Sequence, residues 1–274
     1  MKHISTPWAD SVSKTAPLPE YPRPQLARKD WMNLNGIYEY AVTDKGADMP
    51  EKFDGEILVP FSIESELSGV GKAINENQLL WYKRKFSLDS SFNGKRVLLH
   101  FGAVDWKCTV WVNGKTVGEH TGGYNPFTFD ITDFITDGEN ELALKVYDPT
   151  DAGHQQRGKQ IRKPTGFWYT ATSGIWQTVW LEPVNNCRIE NIRLTPDIDS
   201  GNIRIEVRHN CKCGGKLFAK VLDGDKAVFE GEIGADAEIA IPDAKLWSPE
   251  SPFLYDLELT LDCDDEKDSV KSYF

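Results

Sequence analysis

The sequence predicts an all-β protein made of two successive β-sandwiches. Apolar residues alternate with other residues in short segments such as 97–101 and 108–113, which is the period of a strand with one buried face. Gly, Pro and Asn residues separate these segments and supply the backbone conformations that tight turns need. A hydrophobic content of 40% and an aromatic content of 11% are sufficient for packed cores. The pattern therefore favours antiparallel sheets over most of the chain.

The first predicted sandwich occupies residues 1–183. Its Pro-rich start, up to Pro24, is predicted to be an extended arm because proline disfavours helices and central strands. The Asn113-Gly114 pair predicts a type I′ hairpin turn, since both residues accept positive φ. Residues 62–78 are predicted to be a spacer loop, and 150–173 form a long segment with almost no periodicity. Strands are predicted at 37–42, 57–59, 80–88, 97–101, 108–113, 115–117, 127–131, 142–146 and 176–181.

The second predicted sandwich, residues 184–274, begins after Pro183. Asp223-Gly224-Asp225 is predicted to be a hairpin turn between its third and fourth strands. Seven short strands spaced by about 8 to 12 residues are typical of an immunoglobulin-like sandwich, although the Cys, Trp, Cys spacing of antibody domains is missing. These strands are predicted at 189–194, 203–207, 217–222, 228–233, 239–241, 254–261 and 270–274.

Five motifs spread along the chain carry further information. They are Leu34-Asn35-Gly36, Trp81-Tyr82-Lys83-Arg84-Lys85-Phe86, Val110-Trp111-Val112-Asn113-Gly114, Ser173-Gly174-Ile175-Trp176 and Leu246-Trp247-Ser248-Pro249-Glu250. In these motifs the chain resembles glycoside hydrolase family 2, which holds β-galactosidases, β-glucuronidases and β-mannosidases. The resemblance implies that the first sandwich is the family's sugar-binding domain, a galactose-binding-like jelly roll. It also supports the immunoglobulin-like assignment of the second sandwich.

The resemblance implies that the catalytic residues lie outside this chain. In the family, both catalytic glutamates belong to a (β/α)8 barrel that follows the immunoglobulin-like domain, and a barrel takes about 250 residues, far more than 184–274 can supply. The chain is therefore expected to be the non-catalytic N-terminal region of a retaining β-glycosidase, ending at a domain junction and inactive alone. No local motif singles out a catalytic carboxylate pair within it. Two alternatives stay open, a free-standing carbohydrate-binding module and a purely structural array of sandwiches.

The segment 150–173 is the predicted contribution of this chain to a substrate pocket. It carries Arg162, Trp168 and Tyr169, whose donors and ring faces suit sugar hydroxyls and sugar rings. In the family, the segment just before Ser-Gly-Ile reaches the active site, and several members place an acidic residue there, whereas this chain has Trp168-Tyr169. The alternative is that Trp168 anchors the segment to its own sandwich. For Trp81, Trp111, Trp176 and Trp180, which lie within predicted strands, core packing is expected, as it is for His100.

Composition excludes several other classes of partner and site. A net charge of −11 argues against nucleic acid and anionic membranes, which require basic patches. Oligomerisation of the complete enzyme stays open. No apolar run approaches the ~20 residues of a membrane span, and the first 25 residues show no signal-peptide core, so the compartment is left open. The cysteines lack the spacing of zinc ligands and are predicted to be free or partly buried thiols, so no metal or cofactor is predicted. They are Cys108, Cys187, Cys211, Cys213 and Cys263.

Overall fold

A computed structural model describes residues 5–212, 214–263 and 266–274, which form two compact units. The first unit contains Trp31–Glu182 together with the segment that ends at Glu20. The second unit contains Tyr21–Asp30 and Pro183–Phe274. The segment Tyr21–Asp30 therefore groups with the second unit, although it lies within the range 1–183 predicted for the first sandwich.

Contacts within the second unit explain this grouping of Tyr21–Asp30. The backbone of Ala27 pairs with that of Lys271, with N–O distances of 2.8 and 2.9 Å. The guanidinium of Arg28 forms a buried ion pair with Asp268, and Leu26 belongs to the hydrophobic core of the unit. These partners are distant in sequence from Tyr21–Asp30, so local patterns did not indicate them.

The first unit consists of two main antiparallel sheets and two short strand pairs. The six-stranded sheet has the order Gly55–Val59, Gly36–Asp44, Gln78–Ser87, Glu139–Tyr147, Lys107–Val112 and Lys115–Thr121. The four-stranded sheet has the order Met32–Asn33, Val179–Val184, Arg96–Phe101 and Phe127–Asp130. The short pairs are Gly174–Ile175 with Val104–Asp105, which is antiparallel, and Gln160–Ile161 with Tyr169–Thr170, which is parallel.

The second unit consists of a three-stranded and a four-stranded sheet. The first has the order Ile189–Asp197, Asn202–His209 and Asp236–Ala240. The second has the order Lys226–Ile233, Lys216–Asp223, Asp256–Cys263 and Glu266–Tyr273.

The predicted all-β fold is confirmed. Each unit has its own hydrophobic core, with Tyr82, Phe101 and Leu144 fully buried in the first and Leu257 and Leu261 in the second. Helical structure in the described residues is limited to short 3-10 turns at Ala9–Ser11, Pro24–Leu26, Glu66–Ser68 and Ser90–Phe92. None of the described helices is long and apolar enough to cross a membrane.

The predicted turn at Asn113-Gly114 is confirmed, whereas a short strand pair within 150–173 was not predicted. Asn113 and Gly114 have φ values of 51° and 73°, as the predicted type I′ turn requires. The segment 150–173, predicted to be irregular, contains the short parallel pair of Gln160–Ile161 with Tyr169–Thr170. Two-residue strands leave no periodic signal in a sequence, so this pair was missed.

The predicted core residues of the first unit are partly confirmed. Trp81 and Trp180 are 3% and 4% exposed, and His100 is buried, stacked on Trp180 and hydrogen-bonded to Thr128. Trp111 and Trp176 are only half-buried. Trp176 lies outside the strand predicted for it, because that strand begins at Val179.

The prediction of free thiols is wrong for two cysteines. Cys211 and Cys263 form a disulfide, whereas Cys108 and Cys187 are free. Cys108 is buried, as expected for an unreactive core thiol. Cys213 lies outside the described residues. The paired cysteines are 52 residues apart in sequence, so only the fold brings them together.

Candidate functional site

Two carboxylates, one buried and one half-buried, hold both ends of the segment 150–173, which is called the binding loop from here on. Asp148 follows the strand Glu139–Tyr147 and is 2% exposed. It accepts hydrogen bonds from the Thr150 amide, at 2.7 Å, and from the Ser173 hydroxyl, at 2.6 Å. Glu64 accepts from the Ser173 amide at 3.0 Å. Because Thr150 begins the loop and Ser173 ends it, the two carboxylates fix where the loop leaves and rejoins the sandwich.

A third carboxyl group completes an acid cluster, defined as Glu64, Asp105 and Asp148. Asp105 is 3% exposed and lies on the short strand that pairs with Gly174–Ile175. Its carboxylate packs so closely on Gly123 that a side chain at that position would overlap it. The fold thus gathers three acidic residues that are far apart in sequence beneath the binding loop.

Burial and mutual repulsion raise the pKa values of the acid cluster. Loss of hydration, with smaller contributions from the charges of Asp148 and Glu64, raises the pKa of Asp105 to about 8. Burial raises the pKa of Glu64 to about 7 and also raises that of Asp148, although the hydrogen bonds of Ser173 and Thr150 oppose the latter shift. Among the described residues, no basic side chain forms an ion pair with any of the three. At neutral pH the carboxyl group of Asp105 is therefore mostly protonated and that of Glu64 is partly protonated.

The Ser173-Gly174-Ile175-Trp176 motif connects this cluster to the sandwich. The Ile175 amide donates to the Tyr82 hydroxyl at 3.2 Å, and Tyr82 is fully buried. The indole N–H of Trp176 donates to the Gly123 carbonyl at 2.7 Å. Gly174 has a φ of 87°, which favours glycine. Each residue of the motif therefore helps to position the end of the binding loop.

Polar side chains brace the middle of the binding loop. Arg162 forms ion pairs with Asp151, at 2.7 Å, and with Glu76. The amide side chain of Gln160 donates to the Tyr124 hydroxyl at 3.2 Å and accepts from the Thr172 amide at 2.6 Å. Arg162 is about one-third exposed, and its partners lie within and next to the loop. This geometry favours a positioning role for Arg162.

The tip of the binding loop presents an aromatic surface, defined as Phe167, Trp168 and Tyr169. Phe167 and Tyr169 are 64% and 65% exposed, and Trp168 is half-buried and stacked on Phe167 with ring centroids 4.9 Å apart. Arg157 lies over the Trp168 ring, and Lys159 lies 5.6 Å from the Phe167 ring centre and 6.0 Å from that of Tyr169. Rings flanked by cationic donors are the combination that saccharide sites use.

The three sequence-predicted site residues thus divide into two groups. Trp168 and Tyr169 lie on the aromatic surface, whereas Arg162 is engaged with Asp151 and Glu76. Sequence reasoning missed Phe167, although it directly precedes Trp168 and shares its chemistry. It also missed the acid cluster, because no spacing signal links Glu64, Asp105 and Asp148.

Comparison with known proteins identifies the family. The profile of the sugar binding domain of glycosyl hydrolases family 2 matches residues 31–183, and a second family 2 profile matches residues 187–274. The chain belongs to glycosyl hydrolase family 2. It is 29% identical over 203 residues to a β-galactosidase of Thermoanaerobacter pseudethanolicus, covering 68% of this chain and 26% of that protein. It is 24% identical over 265 residues to a β-glucuronidase of Paenibacillus borealis, covering 88% of this chain and 44% of that protein.

Solved structures share the fold over almost the whole chain. The β-glucuronidase of Lactobacillus rhamnosus superimposes with a TM-score of 0.74 at 22% identity, covering 92% of this chain and 45% of that one. The β-D-glucuronidase of Dictyoglomus thermophilum gives a TM-score of 0.71 at 20% identity, with 92% and 44% coverage. The chain thus corresponds to less than half the length of these family 2 proteins, and the parts it matches are the non-catalytic N-terminal domains.

Proposed function

We propose that this chain is the N-terminal region of a retaining β-glycosidase, in which the aromatic surface of the binding loop forms part of the substrate pocket. The observation that carries this proposal is the surface itself. Two exposed rings and one half-buried ring stand on a loop whose ends are fixed by the carboxylates of Asp148 and Glu64. A protein surface does not usually expose a contiguous group of large rings unless something binds there. Family membership makes a saccharide the favoured ligand.

The chemistry of the aromatic surface suits a pyranose ring. The apolar C–H face of a sugar stacks on Trp168 or Tyr169, while its hydroxyl groups accept hydrogen bonds from Arg157 and Lys159. The two cations also suit the carboxylate of a uronic acid. The substrate class is therefore a β-linked galactoside or glucuronide, in keeping with the relatives. Arg162 acts as a positioning residue that braces the loop through Asp151 and Glu76.

The acid cluster supports the loop and does not cleave the glycosidic bond. A retaining glycosidase needs two carboxyl groups about 5 to 5.5 Å apart on either side of that bond. Asp105 and Asp148 are 3% and 2% exposed, and both carboxylate oxygens of Asp148 are occupied by Thr150 and Ser173. Asp105 and Asp148 therefore have no face open to a substrate, and the half-buried Glu64 alone cannot supply a catalytic pair. We therefore assign the catalytic pair to another domain of the enzyme.

The isolated 274-residue chain is expected to hydrolyse no β-glycoside. Incubation with the nitrophenyl β-galactoside, β-glucuronide and β-mannoside tests this directly. Turnover that co-purifies with the chain would show that the catalytic assignment is wrong. Calorimetric titration with galactose and glucuronic acid tests the alternative that the chain is an independent carbohydrate-binding module. Micromolar binding by the isolated chain would support that alternative.

Replacing Trp168 with alanine in the complete enzyme is expected to lower kcat/KM about tenfold or more, which corresponds to ~1.4 kcal/mol of lost transition-state binding. The melting temperature should stay within about 1 °C, because Trp168 is half-buried on a loop and lies outside both hydrophobic cores. Steady-state kinetics and thermal denaturation are measured on the same preparation.

A matched control is Trp247→Ala, which removes a 58% exposed indole from the second unit and should leave kcat/KM unchanged. A Trp168→Ala enzyme with normal kinetics and a lowered melting temperature would assign Trp168 to anchoring the loop and would contradict the proposed pocket.

A further inference from the structure

Three cysteines of the second unit converge at one place. Cys187 lies two residues before the strand Ile189–Asp197, Cys211 lies two residues after the strand Asn202–His209, and Cys263 ends the strand Asp256–Cys263. Their sulfur atoms all lie within 4.8 Å of one another. Cys263 is 3% exposed and the other two are half-buried. The three cysteine sulfurs thus form a partly buried cluster, in which Cys211 and Cys263 are bonded to each other and Cys187 is free.

The cluster joins the two sheets of the second unit. Ile189–Asp197 and Asn202–His209 belong to the three-stranded sheet, and Asp256–Cys263 belongs to the four-stranded sheet. In the reduced chain, a single bound ion at this position would therefore connect the two sheets in place of the Cys211–Cys263 disulfide. Small domains commonly use a metal in this way to supplement a modest core.

The positions of the three sulfur atoms are compatible with a metal centre in the reduced chain. Zinc binds thiolate sulfur at ~2.3 Å with tetrahedral angles, which places two ligand sulfurs about 3.8 Å apart. The sulfur of Cys187 lies within 4.8 Å of those of Cys211 and Cys263, so all three can reach one ion once the bond between Cys211 and Cys263 is reduced. The Cα atoms of Cys211 and Cys263 are 7.1 Å apart, whereas bridged cysteines usually have Cα atoms about 4.4 to 6.8 Å apart. A disulfide also uses only two of the three thiols and leaves Cys187 without a role.

The backbone around the cluster leaves room beside a ligand sulfur. A Cβ atom at Gly215 would lie 2.9 Å from the sulfur of Cys211 and 3.1 Å from the carbonyl oxygen of Asp262. Any other residue at position 215 would therefore press on that sulfur. Glycine at position 215 therefore allows the sulfur of Cys211 to keep its position.

We propose that Cys187, Cys211 and Cys263 form a thiolate site for a soft divalent metal ion, with Zn²⁺ as its favoured occupant. Thiolates prefer such ions over Mg²⁺ or Ca²⁺, which select oxygen ligands. The fourth position is filled by water or by a further donor. The Cys211–Cys263 disulfide and the metal site are alternative states of the same residues, because a small-molecule dithiol must first reduce the disulfide, giving up two electrons and becoming a disulfide itself, before the two sulfurs can bind a metal. This site is independent of the proposed saccharide pocket, which lies in the first unit.

The metal is detected on the 274-residue chain after purification under a thiol reductant and removal of bound ions with a chelator. Titration with Co²⁺ is expected to give the visible spectrum of a tetrahedral ion together with thiolate charge-transfer bands, saturating at one ion per chain. Zn²⁺ should displace the cobalt and raise the melting temperature. Absence of stoichiometric binding by the reduced chain would overturn the proposal.

Cys187→Ser separates the metal site from the disulfide, because it removes one ligand and leaves Cys211 and Cys263 intact. It should weaken Zn²⁺ binding at least tenfold, whereas Cys108→Ser, which changes the buried free thiol of the first unit, should leave binding unchanged. Equal affinity of the Cys187→Ser chain and the parent would refute the assignment.

A second measurement does not depend on any variant. One equivalent of Zn²⁺ should protect all three thiols of the reduced chain from alkylation, counted by peptide mass spectrometry. If Cys187 stays reactive in the presence of Zn²⁺, or if Cys211 and Cys263 remain disulfide-bonded under the reductant, the metal site is disproved.

Discussion

Replacing Asp105 with asparagine is expected to raise the melting temperature of this chain at pH 8 by roughly 3–5 °C and to change it little at pH 5. The wild-type carboxyl is buried beside Glu64 and Asp148, and its pKa is about 8 in the folded chain against an ordinary value of 3.8. At pH 8 much of its population carries a charge that the surroundings disfavour. The amide of asparagine has nearly the same shape and carries no charge.

The direction of the pH dependence follows from proton uptake. A carboxyl whose pKa is higher in the folded than in the unfolded chain binds a proton on folding, so stability rises as the pH falls. For Asp105 this gain accumulates between about pH 8 and pH 4, and Glu64, with a pKa of about 7, acts in the same direction. Wild-type stability should therefore be greater at pH 5.5 than at pH 8, and Asp105→Asn should flatten this slope.

Thermal denaturation between pH 5 and pH 8.5 measures the effect. Asp236→Asn is a suitable control, because a hydrogen bond from Arg204 lowers the pKa of this exposed carboxyl below its usual range. Asp236 stays ionised between pH 5 and pH 8.5, so its substitution should shift the melting temperature by a similar small amount at every pH in this range. An Asp105→Asn chain that is less stable than wild type at pH 8 would contradict this account of the acid cluster.

Local patterns in the sequence were sufficient for most of the fold. Strands such as Arg96–Phe101 and Lys107–Val112 could be predicted because alternation is a property of neighbouring residues. The turn at Asn113-Gly114 was predictable for the same reason, since its positive φ values restrict residue choice. The motif Ser173-Gly174-Ile175-Trp176 indicated the family, and the structure now gives a physical task to each of its residues.

The features that were missed depend on residues distant in sequence. Glu64, Asp105 and Asp148 become a cluster only when three separate segments meet, and their raised pKa values arise from that burial. The partners of Arg162 include Glu76, which lies in a segment with no periodic signal. The same holds for the thiol cluster, where Cys211 and Cys263 are separated by 52 residues. Pairings of this kind are fixed by topology, so spacing rules could not find them.

Replacing Gly174 with alanine is expected to prevent the first unit from folding stably, with a loss of roughly 4 kcal/mol or more. Gly174 has a φ of 87°, which L-residues with a side chain rarely adopt. An added Cβ atom would overlap the Tyr82 hydroxyl and lie 2.9 Å from the Leu80 side chain. Tyr82 and Leu80 are both fully buried, so neither can move aside without disrupting the core.

Gly166→Ala distinguishes the cost of a steric clash from the cost of placing a residue with a side chain at positive φ. Gly166 has a φ of 61°, but a Cβ atom there would meet nothing within 4 Å, so its substitution should cost only on the order of 1 kcal/mol. Chemical denaturation of both variants, followed by Trp fluorescence and far-ultraviolet circular dichroism, provides the comparison. Equal losses in the two variants would mean that backbone strain alone accounts for the effect. A much larger loss for Gly174→Ala would show that contact with Tyr82 makes glycine necessary where the binding loop rejoins the sandwich.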